Sequence, residues 1–192
     1  MRYNKFGLYR RTPTLLYRTK RGQPRGKIEV MAEKLFAYIA GFLDGDGCIM
    51  AQLVKRSGYV HGYQIRVSVV FYQKESKKYF LEWLKGQLKY GYVRVRNDHM
   101  AEYTIVGYQS VYEVLTKLLP YLRLKKTIAQ KVINLCVMGI KSSPKRISPT
   151  ELLKRAALVD ETAAYNYSKK RTTTRATVKQ FLQEHNLFPR ND

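Results

Sequence analysis

Residues 35–49 read LFAYIAGFLDGDGCI. An apolar helix built on small residues runs straight into Asp-Gly-Asp-Gly, and an acidic side chain stands at the tip between two glycines. Ala37 and Gly41 lie four apart and Ala40 sits beside that line, so one helix face carries almost no side-chain bulk. A bare face lets another helix approach at backbone distance. Gly45 and Gly47 allow the chain to turn and bring the Asp46 carboxylate close to whatever binds at the helix end. The pattern predicts a helix over 33–43, ended by a turn at 45–47.

Working outward, the 192 residues suffice for one substantial domain, and 45% hydrophobic content with 12% aromatics excludes wholesale disorder. Charge is the outlier: 36 basic against 14 acidic residues give +22. A field of that sign points to a polyanion, most simply nucleic acid. No apolar run reaches bilayer-spanning length, so no membrane partner is expected. Cys48 and Cys136 are too few for a disulfide framework, which fits a reducing compartment. Three scattered histidines without cysteine neighbours (His61, His99, His185) argue against zinc.

The first thirty residues hold nine Lys or Arg and one acid, Glu29, with no sustained helical period. Residues 1–30 therefore read as a basic arm, and 31–192 as a single domain that remains strongly basic without it. After the helix come two extended segments, 48–56 and 62–73, the second with a clean period of two. A helix over 78–88 follows, then strands over 91–96 and 102–106 joined by Asn97-Asp98-His99, which is turn chemistry. Helices over 110–119, 126–138, 149–162 and 174–184 complete the chain. The order α-β-β-α-β-β-α plus three further helices predicts an α+β domain with four strands on one sheet.

Alternation places Gln64 and Arg66 opposite Ile65, Val67 and Val69, and places Tyr92, Arg94 and Arg96 opposite Val93 and Val95. On the first strand Gln52 and Arg56 share a side with Cys48, Met50 and Val54. One sheet face thus carries arginine, glutamine and tyrosine, and its charges are nearly all positive, with Glu102 the exception. A merely solvated face mixes signs. Arginine reaches guanine and glutamine reaches adenine through paired hydrogen bonds in the major groove. Lys169, Lys170, Arg171 and Arg175 suit phosphates, which fix register without reading sequence.

Phosphodiester hydrolysis needs a cation that neutralises charge and activates water, and Mg²⁺ takes oxygen ligands. Asp46, with the Gly45 carbonyl beside it, is the candidate. The competing reading is a helix end whose aspartates only bond backbone. An EF-hand is excluded by spacing, because Cys48, Ile49 and Lys55 stand where a ligand, a glycine and a glutamate are required. The chain holds one such motif, and cutting a duplex takes two sites, so a two-fold homodimer packed through Ala37, Ala40 and Gly41 is expected.

The motif resembles the signature of the LAGLIDADG homing endonucleases, with Ala40, Gly41, Asp44, Asp46 and Gly47 at its defining positions. Residues 34–185 are similar to the homodimeric, single-motif members encoded in green-algal chloroplast ribosomal-RNA introns. The segments that carry the likeness are FLDGDGCIMAQL, FYQKESKKYFLEWL, GYVRVR, PYLRLKKTIAQKVI and SKKRTTTRATV. The resemblance implies an αββαββα core, a saddle-shaped sheet over DNA, and double-strand cleavage at a long pseudo-palindromic site with Mg²⁺, or Mn²⁺ in its place. Matched position by position, Asp46 is the metal-binding aspartate, Gly45 the carbonyl ligand, and Gln73, Lys77 and Lys125 the groups around the scissile phosphate. Lys77 stands where relatives can have arginine. The matching DNA-reading positions are Cys48, Met50, Gln52, Val54, Arg56, Gln64, Arg66, Val70, Tyr92, Arg94, Arg96, Glu102 and Thr104, together with Ser168, Lys169, Thr172 and Thr173. An RNA maturase and a non-catalytic DNA-binding protein are the rival functions on this fold, and the resemblance implies a chloroplast location.

Overall fold

The computed structural model describes residues 25–142, 147–166 and 171–188. Its elements are α1 (Arg25–Asp46), β1 (Gly47–Lys55), β2 (Tyr63–Lys74), a 3₁₀ turn (Glu75–Lys77), α2 (Lys78–Leu88), β3 (Tyr92–Val95), β4 (Met100–Val106), α3 (Tyr108–Leu118), α4 (Lys126–Lys141), α5 (Pro149–Ala163) and α6 (Arg175–Glu184). This is the expected αββαββα order followed by three helices. The arm fares differently. Its residues 25–30 are helical and open α1, while 1–24 lie outside the described residues. The motif ends differently too: α1 runs through Gly45 to Asp46 and β1 starts at Gly47, with no intervening turn.

The sheet is antiparallel throughout, in the order β1-β2-β4-β3. Register aligns Cys48 with Val70, Val70 with Thr104 and Thr104 with Tyr92, and aligns Gln52 with Arg66 and Val54 with Gln64. The alternation read from sequence therefore holds across strands. Ile49, Ala51, Leu53, Ile65, Val67, Val69, Phe71, Ala101, Tyr103 and Ile105 are all buried on the opposite face. Burying that apolar surface is the main stabilising contribution of the layer. Leu81, Leu84 and Leu88 of α2, and Val111, Val114, Leu115 and Leu118 of α3, supply the matching stripes at helical spacing.

Within the compact unit that begins at Leu35, α1 divides cleanly between two sides. Phe36, Ile39, Ala40 and Leu43 are buried, at the spacing of one helix face. Ala37, Tyr38, Gly41 and Gly45 are exposed. Added Cβ atoms on Gly41 and Gly45 would meet nothing within 4 Å. Ala40, expected beside the open line, is 0% exposed and belongs to the chain's own core. The reason is angular: at 100° per residue it falls on the Phe36–Leu43 side of the helix, not with Gly41.

Candidate metal and nucleic-acid site

The absence of a loop between α1 and β1 is what builds the site. A Cβ on Gly47 would sit 2.4 Å from Leu43 Cδ1 and 2.8 Å from the Leu43 carbonyl oxygen. Only glycine lets the strand leave the helix so tightly. The last helical turn is thereby held at the edge of the sheet, and its carbonyls have no amide further along the helix to accept from.

The two aspartates then part company. Asp44 is consumed by structure: its carboxylate accepts the backbone N–H groups of Arg123 at 2.7 Å, Leu124 at 3.2 Å and Lys125 at 2.9 Å. Those amides lie at the start of α4, where the helix dipole favours an anion. Lys125 Nζ returns the contact by donating to the Asp44 carbonyl. Asp46 is exposed, and among the described residues only one donor reaches it, the Gln73 Nε2 at 3.3 Å. The backbone-bonding alternative weighed from sequence is thus right for Asp44.

Gln73 comes from an unexpected side of its strand. It follows Phe71 on the core-facing alternation, paired with Ala101, and reaches the site because β2 here runs out past the end of α1. Lys125 is half-buried, and its charge acts on Cys48. Burial raises the Cys48 thiol above its ordinary pKa, and the lysine pulls in the opposite direction. Asp46, Gln73 and Lys125 therefore converge on the α1–β1 junction. Lys77 does not join them in this structure: it lies in the 3₁₀ turn with its ammonium 5.9 Å from the Tyr79 ring centroid.

The donor set suits a hard divalent cation. A free carboxylate oxygen on Asp46 and the Gly45 carbonyl are both oxygens, at the negative end of a helix dipole. Among the described residues no three Asp, Glu, His or Cys side chains cluster to hold a metal. One chain offers one carboxylate.

The reading face has two characters. Along β1 and β2, Gln52, Gln64 and Arg66 have no hydrogen-bond or ionic partner among the described residues. Along β3 and β4 the charged groups are clamped. Glu102 is buried, accepts Arg94 Nε at 2.6 Å and Thr104 Oγ1 at 3.2 Å, and lies 3.9 Å from Arg96. Arg96 also pairs with Asp98 at 2.9 Å. Ser68, Val70 and Thr104 are buried although the alternation places them on the open face. Glu102, matched to a base-reading position, is held here between Arg94 and Arg96, because a buried carboxylate needs charged partners.

One side chain expected at phosphates has structural work: Arg171 pairs with Asp160 at 2.8 Å, while Arg175 meets the same carboxylate only through its backbone N–H, at 2.9 Å. Thr172 is exposed and Thr173 half-buried. Ser168, Lys169 and Lys170 lie outside the described residues. One residue went unnoticed in the sequence: Asn166 donates to the Ile49 carbonyl at 3.1 Å and accepts from Cys48 Sγ at 3.7 Å, covering Cys48 from above. An asparagine after a helix carries no pattern that would predict this.

With that geometry in view, comparison with known proteins is direct. Residues 39–137 match the LAGLIDADG endonuclease family model. The chain is 40% identical over 149 residues to the DNA endonuclease I-CvuI of Chlorella vulgaris, covering 78% of this chain and 90% of that protein. It is 35% identical over 151 residues to the DNA endonuclease I-CreI of Chlamydomonas reinhardtii, with the same coverages. A crystal structure of I-CvuI with its DNA target in 2 mM Ca superposes with a TM-score of 0.78 at 36% identity, over 83% of this chain and 99% of that one. This chain belongs to the LAGLIDADG endonuclease family.

Proposed function

We propose that the chain is a site-specific homing endonuclease that cuts both strands of a long pseudo-palindromic DNA site as a homodimer. The observation that carries the reading is the division of labour at 44–46. Asp44 is satisfied by three backbone amides, while Asp46 is left exposed beside Gln73, at the end of an open helix face. A carboxylate kept available in this way is a ligand in waiting.

A divalent cation, Mg²⁺ with Mn²⁺ as a substitute, would be held by Asp46 and the Gly45 carbonyl, and supplies charge neutralisation and an acidified water. The protein's own groups do the positioning. Gln73 fixes the Asp46 carboxylate through its amide nitrogen, which leaves its amide oxygen to accept a hydrogen bond from the attacking water and so orient it. Lys125 brings positive charge to the junction, where negative charge builds on the phosphorane. Lys77, on an exposed turn, is the other basic group this reading assigns to the scissile phosphate. Because one chain offers one carboxylate, a second copy completes the pair. Ala37, Gly41 and Gly45 form the open stripe through which two α1 helices would pack around a two-fold axis.

The green-algal relatives support an origin in a chloroplast ribosomal-RNA intron, which sequencing of the flanking exons tests. The activity is tested with duplexes carrying the I-CvuI and I-CreI targets and with a randomised pool, in Mg²⁺ and in Ca²⁺. Double-strand cleavage in Mg²⁺ with binding alone in Ca²⁺ is expected. Asp46→Asn should abolish cleavage and keep binding. Cleavage that survives Asp46→Asn would refute the site, and a monomer that makes double-strand breaks would refute the pairing.

A further inference from the structure

The hairpin of β1 and β2 outruns the rest of its sheet. β4 pairs with β2 only from Ser68 to Lys74, whereas β1 stays with β2 out to the rung of Lys55 and Tyr63. Over 63–66 the sheet therefore has two strands among the described residues. A two-stranded ribbon is marginal unless something packs on it. Gln52, Val54, Arg56, Gln64 and Arg66, all expected to read bases, stand on this extension or just past its end. Gln52, Gln64 and Arg66 have no hydrogen-bond or ionic partner among the described residues, so the backbone beneath them fixes where they point.

The alternate residues of the ribbon face the helices. Leu53 and Ile65 are buried there, α5 packs along β1, and the Tyr108 hydroxyl donates to the Ile65 carbonyl at 3.1 Å. The outermost rung meets a side chain from α6 instead. The Phe181 ring packs edge to face on Tyr63, with centroids 5.3 Å apart, and its centroid lies 5.8 Å from the Lys55 ammonium, within cation–π reach. Gly62, at φ +67°, leaves room for that ring, since an added Cβ would sit 2.4 Å from it. His185, at the end of α6, stacks on the same ring with centroids 4.0 Å apart. The Gly62 carbonyl accepts the Arg56 N–H at 2.8 Å, which ties the Phe181 contact to the strand that presents Arg56.

We infer that Phe181 is a positioning residue for specificity: it buttresses the outer end of the β1–β2 ribbon and so sets recognition of the base pairs farthest from the cut. The inference rests on the reading of the sheet face as a DNA-contacting surface. Asp46 precedes the first residue of β1 and Lys55 is its last, so the length of that strand, about 27 Å, separates the buttress from the chemistry. Phe181 acts through Gly62, Tyr63 and Lys55, on the side of the ribbon that faces away from the reading side chains. Truncating it loosens the platform under Arg56 and Gln64 and leaves Asp46, Gln73 and Lys125 in place.

The test compares the full-length wild type with Phe181→Ala, or with Phe181→Leu where alanine prevents folding, and with Val114→Ala in α3 as a destabilised control elsewhere in the core. The probe is the duplex that the wild type cuts best from a randomised pool, together with each of its single-base substitutions, in single-turnover cleavage with Mg²⁺. In Phe181→Ala, discrimination at the outermost base pairs of each half-site should fall about fivefold or more, while discrimination beside the cut holds and the rate on the best duplex stays within about twofold. Val114→Ala should keep the wild-type profile at every position. Without DNA, hydrogen exchange at the Arg56 amide should quicken about tenfold in Phe181→Ala, with the amides of 69–71 unchanged. Wild-type exchange at Arg56, an intact outer profile, or discrimination lost evenly at inner and outer positions would each overturn the proposal. A wild type that prefers no sequence would bring down the DNA reading and this inference with it, an outcome told apart by an exchange contrast that persists.

Discussion

The α1–β1 junction and the outer part of the β1–β2 reading face share one surface yet are built to opposite rules. At the junction nearly every polar group has a named partner: Asp44 with three amides, Lys125 with the Asp44 carbonyl, Gln73 with Asp46. Farther along the strands, Gln52, Gln64 and Arg66 have none among the described residues. Chemistry demands fixed geometry, because a misplaced group loses the transition state. Sequence reading demands side chains still free to meet base edges. The β3–β4 edge lies between these extremes, with its arginines present but tied to Glu102.

That gradient is open to attack at each level. Asp44→Ala should have the largest effect, about 2–4 kcal/mol of lost stability, because it strips three amides of their acceptor. Cleavage should fall with it, since Lys125 loses its seat. Denaturant midpoints and single-turnover rates read both, and the contrast with Asp46→Asn is diagnostic: there stability should hold while cleavage disappears. An Asp44→Ala protein as stable as wild type would collapse the distinction between the two carboxylates.

Glu102→Gln should come next. Neutralising the buried carboxylate frees Arg94 and loosens Arg96, which keeps Asp98, with a stability cost of about 1–3 kcal/mol. Base preference under these arginines should broaden, as measured by the relative cleavage of duplexes substituted at each position. The smallest structural effect is expected for Gln52→Ala, an exposed and unpartnered side chain, with stability changed by no more than about 0.5 kcal/mol. Discrimination at one base should nevertheless drop by about 1–3 kcal/mol. Should Gln52→Ala unfold the protein, or Glu102→Gln leave specificity untouched, the two halves of the face would not differ as described.

Some of this was legible in the chain. Local periodicity located the strands and helices, because alternation and helical spacing are properties of neighbouring residues. Helix α2 coincides with its expected span, Lys78–Leu88. The sequence pattern at 45–47 suggests a turn where the structure has a tight helix-to-strand passage, since glycine on both sides of Asp46 suits either. Gly47 is required by the approach of Leu43 instead. The roles of Gln73 and Lys125 rested on resemblance alone: a glutamine at a strand end and a lysine before a helix carry no pattern of their own.

By itself, then, the sequence determined the element order, the basic field, the sheet face that carries arginine, glutamine and tyrosine, and the acidic tip at Asp46, all of which follow from composition or from spacing along the chain. The tertiary structure alone decided which aspartate is spent on α4 and which stays free, that Ala40 belongs to the core, and that Glu102 restrains arginines. Those outcomes depend on partners 79–81 residues away for Asp44, and on cross-strand register for Glu102. Distance in sequence hides such pairings until the backbone closes around them.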